Sequence, residues 1–120
     1  MAKIRHIAIM SEDPSKLAGF YKITFGLEEV HRHHTSEGDE AIYLSDGTIN
    51  LALIPARGRP EGIHHFGFHV ESVPKTAEKA ETVGAKKGPE GVPRDGRFAE
   101  VFILDPVGTR VDLSEHGWKT

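Results

Sequence analysis

The chain contains no cysteine. That absence removes disulfides, thiolate metal sites, iron–sulfur clusters and a cysteine nucleophile together. A metal held by this sequence must sit on nitrogen and oxygen. A surplus of positive charge is also lacking: 15 Lys and Arg stand against 18 Asp and Glu, for a formal charge of -3. Neutralising a phosphate backbone needs a basic excess, so nucleic acid is not an expected partner. No apolar run approaches the ~18 residues of a membrane span, and the polar opening Met1-Ala2-Lys3-Ile4-Arg5 has no secretory apolar core. A cytoplasmic protein with no membrane partner is the expectation. The length of 120 residues, 38% of them hydrophobic, fits one domain spanning 1–120. What the chain has in abundance is histidine, with eight copies, at 6, 31, 33, 34, 64, 65, 69 and 116.

The sequence is written twice. Ile4-Arg5-His6-Ile7-Ala8-Ile9-Met10 lines up with Ile63-His64-His65-Phe66-Gly67-Phe68-His69, and both segments alternate as strands do. Pro14 and Pro74 then open helices, with Asp13 and Ser72 near the N-caps, and Gly26 and Gly84 close them. Leu17, Phe20, Tyr21 and Thr24 are expected on the covered face of the first helix, and Val73, Ala77, Ala80 and Val83 on that of the second. Three short strands follow in each half. The first set is 29–34, 41–44 and 48–53; the second is completed by 98–104 and 109–114. Asp46-Gly47 predicts a two-residue hairpin turn, and Asp105-Pro106-Val107-Gly108 a slightly longer one. Residues 88–96 read as an insertion, and the Pro- and Gly-rich 54–62 as a connector. The expected class is α+β: two βαβββ modules, 4–53 and 63–114, whose cupped mixed sheets enclose a cavity with the helices outside. Modules this small have little core, so a homodimer is expected.

Alternation assigns the histidines to faces. His6 shares a face with Ala8 and Met10, away from Ile7 and Ile9; His65 shares one with Gly67 and His69, away from Phe66 and Phe68. On the closing strands Asn50 opposes Ile49, Leu51 and Leu53, just as Asp112 opposes Val111 and Leu113. If the non-helical faces meet, His6, Asn50, His65 and Asp112 converge. Two imidazoles and one carboxylate suit a divalent cation, Fe, Mn, Co, Ni or Zn, with open positions for water or substrate. His64 falls on the opposite face and His69 at the cavity mouth, where substrate binding is expected of it. His31, His33 and His34 read as solvated edge residues, and His116 as part of the tail.

These residues carry a resemblance that covers nearly the whole chain. Arg5-His6-Ile7-Ala8-Ile9, Phe20-Tyr21 before Phe25-Gly26-Leu27, Ile63-His64-His65-Phe66-Gly67-Phe68 and Asp105-Pro106-Val107-Gly108-Thr109-Arg110-Val111-Asp112-Leu113 together resemble the vicinal oxygen chelate superfamily. That superfamily includes glyoxalase I, methylmalonyl-CoA epimerase, extradiol dioxygenases and bleomycin resistance proteins. The resemblance implies metal positions at His6, His65 and Asp112, with Asn50 where some members supply a fourth ligand. It departs from the usual pattern in that Asp112 and Asn50 are each one methylene shorter than the family's residues. The function implied is a metal-dependent lyase, isomerase or dioxygenase acting on a small oxygen-chelating metabolite, the alternative being a metal-free, bleomycin-resistance-like binding protein. Glu100, with Glu115 or a pocket histidine as alternatives, is the expected proton shuttle. Arg94 and Arg97, or Arg57 and Arg59, are candidate clamps for an anionic group of the substrate.

Overall fold

The computed structural model describes residues 1–87 and 101–120. Among them, in chain order, are β1 (Lys3–Ser11), α1 (Pro14–Phe25), β2 (Glu28–His34), β3 (Glu40–Ser45), β4 (Asn50–Pro55), β5 (Gly62–His69), α2 (Val73–Glu81), β6 (Lys86–Lys87), β7 (Val101–Leu104) and β8 (Arg110–Ser114). The class is α+β, and each half runs strand, helix, then three strands, as the repeat requires. The chain forms two compact units, residues 6–64 with 119–120, and residues 1–5 with 65–118.

In the first unit the strands run β2-β3-β4-β1. β3 is antiparallel to both β2 and β4, and β1 from His6 onward lies parallel to β4. Helix α1 begins where Asp13 Oδ1 accepts from the Lys16 N–H at 3.1 Å, with Pro14 in the first turn where no donor is missed. It ends at Gly26, whose φ of 72° is left-handed and whose N–H closes on the Lys22 carbonyl. The core joins Ile9, Ala18, Ile42, Leu44 and Leu53, with Ile7, Leu17, Tyr21 and Leu51 packed against it. This matches the faces expected of Ile7, Ile9, Leu51 and Leu53. Phe20 does not match: it is 53% exposed, because the helix seats Pro14, Leu17, Ala18 and Tyr21 and so turns Phe20 off the covered stripe.

The second unit has the order β5-β8-β7-β6, with β5 parallel to β8 and β7 antiparallel to its two neighbours. Ser72 caps α2 by accepting from the Lys75 N–H. Val70, Val73, Val111 and Leu113 form the core, joined by Phe66, Phe68, Ala77, Val101 and Ile103. Helix α2 stops at Glu81, before Gly84, and Val83 beyond its end is exposed.

The turns depart from expectation in one place. Between β3 and β4 the loop is Asp46-Gly47-Thr48-Ile49 rather than two residues, since the Asp46 carboxylate accepts from the N–H groups of Thr48 and Ile49 and organises a wider turn. β4 therefore starts at Asn50, not Thr48. The 105–108 turn is as expected: Asp105 Oδ1 accepts from Val107 and Thr109, and Gly108 N–H closes on the Asp105 carbonyl.

Candidate metal centre

Strand parity decides what β8 offers on each side. Val111 and Leu113 enter the core against α2, so Arg110 and Asp112 must point to the other face. Asp112 is fully buried there, and His65 of β5 is 4% exposed. Nε2 of His65 donates to Asp112 Oδ2 at 3.1 Å, and Arg110 Nε donates to Asp112 Oδ1 at 2.8 Å. Burial acts to raise the pKa of the Asp112 carboxyl. The hydrogen bonds from His65 and Arg110, with the guanidinium charge of Arg110, outweigh it and hold the group below its ordinary value. The carboxylate is therefore an anion at neutral pH. Arg110 is itself steadied by the Phe102 ring, 4.3 Å from its guanidinium carbon, and Phe102 faces Asp112 across β7 and β8.

Two further residues shape this side of the unit. Gly67 follows His65 by two on β5 and pairs with Asp112 in the ladder. A Cβ at Gly67 would lie 2.6 Å from the Trp118 ring and 3.2 Å from Asp112 Cβ, so the missing side chain is what admits the indole beside the carboxylate strand.

His6 is 4% exposed on β1, and its register partner on parallel β4 is Asn50, which is fully buried. Asn50 Nδ2 donates to the Lys119 carbonyl at 2.8 Å, and Asn50 Oδ1, buried as well, accepts no hydrogen bond among the described residues.

Within this unit His65 and Asp112, both buried, make a candidate ligand pair. The donor spacing within the pair can be tested against metal chemistry. Two donors about 2.1 Å from one ion lie about 3.0 Å apart at a right angle and about 3.4 Å apart at the tetrahedral angle. The 3.1 Å between His65 Nε2 and Asp112 Oδ2 falls in that interval. An imidazole and a carboxylate at this spacing are donors suited to a divalent cation.

Other expected site residues are placed elsewhere. His64 is exposed. His69 is exposed, donates from Nε2 to the Glu115 carbonyl at 2.8 Å, and lines an open cleft of about 500 Å³ with Lys3, Arg5, Glu71 and Glu115. Glu115 accepts the Val73 N–H at 2.7 Å and so caps α2. Arg57 is paired with Asp39 and Glu37, and Arg59 with the Ala56 and Pro55 carbonyls, so neither is presented as an anion clamp. His31 lies against the Tyr43 ring and His34 beside Glu40, in keeping with edge positions. Arg94, Arg97 and Glu100 lie outside the described residues. Arg110, Gly67, Trp118 and the Lys119 carbonyl were not expected. Arg110 alone had a signal in the sequence, since it shares the face of Asp112 by alternation.

Solved structures share this fold. A hypothetical protein of Bacillus halodurans superposes with a TM-score of 0.79 at 19% identity, covering 99% of this chain and 97% of that one. A single-residue variant of Streptomyces coelicolor methylmalonyl-CoA epimerase, in complex with 2-nitronate-propionyl-CoA, gives 0.71 at 25% identity, covering 92% and 94%. Methylmalonyl-CoA epimerase of Mycobacterium tuberculosis gives 0.73 at 18% identity, covering 92% and 85%. No curated protein matches the chain. Residues 6–114 match the description "Glyoxalase-like domain", a span that takes in every proposed ligand from His6 to Asp112, and the chain belongs to that family, within the vicinal oxygen chelate superfamily.

Proposed function

We propose that the chain is a divalent-metal-dependent enzyme of the vicinal oxygen chelate type, with His6, His65 and Asp112 as protein ligands and Asn50 as a fourth, weaker one. The observation that carries this reading is the buried pair His65 and Asp112, whose Nε2 and Oδ2 stand 3.1 Å apart, the spacing of two ligands of one ion. A bound cation would supply Lewis-acid stabilisation of negative charge on a chelating substrate oxygen. The chain's own contribution is to keep Asp112 ionised through Arg110, and to exclude water from His6, His65 and Asp112 by burying them. Proton transfer beside a carbonyl is the reaction class we favour over dioxygenation. The epimerases among the similar structures support it, and a CoA thioester is the substrate class to try first. Its proton carrier is assigned to Glu100, and Arg94, Arg97 and His69 to substrate contacts.

The test is metal analysis of untagged protein, then chelation and re-addition of Fe, Mn, Co, Ni and Zn singly. The accompanying assay follows deuterium uptake into a 2-substituted malonyl thioester in heavy water. Uptake that needs one of these ions carries the reading; metal content equal in wild type, His65→Ala and Asp112→Ala would defeat it.

One observation favours a second reading, a metal-free binding protein. Arg110 already neutralises Asp112 at 2.8 Å, so the buried carboxylate is stable with no ion present.

Two further proposals stand beside these. A homodimer is supported by the apolar side chains that α1 exposes, Phe20, Ile23 and Phe25, and sedimentation as a 13.2 kDa species at micromolar concentration would contradict it. No described helix is long and apolar enough to cross a membrane, and a cytoplasmic location is the remaining proposal, read by fractionation.

A further inference from the structure

We infer that His31 and His33 form a second metal site, a two-imidazole chelate for a borderline divalent cation on the edge strand β2. The site lies wholly in the first unit and takes no ligand from His65 or Asp112. Strict alternation would put Glu29, His31 and His33 on one face. The pairing of β2 with β3 changes that. Glu29 stands opposite Leu44 but His31 opposite Tyr43, so the register slips by one residue and Val30 is left over as a bulge. Glu29 is thereby sent to the face of Ile42 and Leu44, which packs with Ala18 of α1, and there it pairs with Lys22 and Arg32. Arg32, opposite Ile42, and His34, opposite Glu40, share that face.

His31 and His33 are left together on the opposite face, where their partners across the ladder are Tyr43 and Ala41. Neither partner brings an ammonium, a guanidinium or a carboxylate. The one cation of β2, Arg32, is on the other side of the strand and is paired with Glu29 and Glu40, so its repulsion of an ion at the histidines is offset. Two residues apart on one strand, the histidine Cα atoms are about 6.7 Å from each other. Two imidazoles leaning together close that gap to the ~3.0–3.4 Å between two donors of one ion. The His31 ring already rests against Tyr43, with centroids 5.6 Å apart, and the small Ala41 leaves room beside His33. Both are open to an ion from solvent, His31 being exposed and His33 half-buried. Two imidazole nitrogens, with water in the remaining positions, suit Cu²⁺ best and Ni²⁺ or Zn²⁺ next.

The experiment titrates Cu²⁺ by calorimetry into the full chain carrying His65→Ala and Asp112→Ala, which silences the proposed centre, and into the same chain with His31→Ala, His33→Ala or His34→Ala added. His31→Ala and His33→Ala should each weaken binding roughly tenfold or more, as loss of a chelating donor requires. His34→Ala, on the other face, should change it less than about twofold. Electron paramagnetic resonance of the bound Cu²⁺ should show splitting by two nitrogens that falls to one in either of the first two variants. No loss on His33→Ala, or a loss on His34→Ala as large as that on His33→Ala, overturns the inference and leaves the reading of His65 and Asp112 intact. If the silenced chain does not fold, the histidine ring resonances of the unchanged chain decide. Substoichiometric Cu²⁺ should broaden those of His31 and His33 before those of His34, His64, His69 and His116. Broadening of all six together, or none at His31 and His33, refutes the inference.

Discussion

His65 Nε2 and Asp112 Oδ2 stand 3.1 Å apart, with both side chains buried. Two groups from parallel neighbours β5 and β8 are thus held at the separation that two ligands of one ion would have. Replacing His65 by Ala should lower divalent-metal affinity by 100-fold or more, on the order of losing one nitrogen donor. His64→Ala, an exposed neighbour, should change it less than twofold. Inductively coupled plasma analysis after equilibrium dialysis reads both.

Lengthening the carboxylate is the sharper probe of the same pair. Asp112→Glu restores the family's side chain, and it should tighten metal binding if Asp112 reaches the ion only with difficulty. The longer chain must also keep its bond to Arg110, which Asp112 holds at 2.8 Å. A weaker ion affinity in Asp112→Glu would mean that Asp112 is already at the right length.

The depressed Asp112 pKa fixes a pH dependence. The unfolded carboxyl titrates near 3.8 and the folded one lower, so between the two values the unfolded state binds more protons and stability rises with pH. The contribution is complete above 3.8 and is lost as pH falls through the folded value. The stability difference between wild type and Asp112→Asn, followed by urea unfolding in the metal-free state, should be constant above pH 5 and shrink below about 4. A constant difference down to pH 2 would contradict the assignment.

Arg110→Met separates the two functional readings. It removes a charge-assisted hydrogen bond from a buried carboxylate, at a cost of about 1.5–3 kcal/mol, so the metal-free protein should melt several degrees lower. In a metal enzyme, Zn²⁺ should return most of that loss by taking over the charge of Asp112. In a metal-free binding protein, Zn²⁺ should return none. Thermal melts with and without the ion distinguish them.

Gly67→Ala should destabilise by about 1–3 kcal/mol, the usual cost of overpacking, because its Cβ would sit 2.6 Å from the Trp118 ring. The double variant Gly67→Ala, Trp118→Leu should recover part of the loss. Additive losses in the double variant, measured by denaturant midpoints, would mean that the two residues do not share this space.

What the sequence made legible was whatever obeys a period. The doubling of the chain, the faces of Ile7, Ile9, Phe66 and Phe68, and the shared side of Arg110 and Asp112 all follow from alternation, which depends on backbone geometry alone. Both helix starts were readable because Asp13 and Ser72 cap locally. Phe20 was misplaced because neighbouring stripes on a 12-residue helix differ by a small rotation, and packing against Ile9 and Ile42 chose among them. The 46–49 loop was missed because one side chain, Asp46, reaches two backbone donors and overrides the dipeptide preference of Asp-Gly. The roles of Glu115, Arg57 and Trp118 rest on contacts between residues distant in the chain, and no period announces those.

Trp118 is the one tryptophan in the chain, and it is buried where a Gly67 side chain would have been, next to the strand of Asp112. The protein thus carries its own optical probe at the proposed centre. Its indole emission, excited to the red of tyrosine absorption, comes from a single site, so quenching by a paramagnetic ion, or a spectral shift on substrate entry, would report on that site without a label.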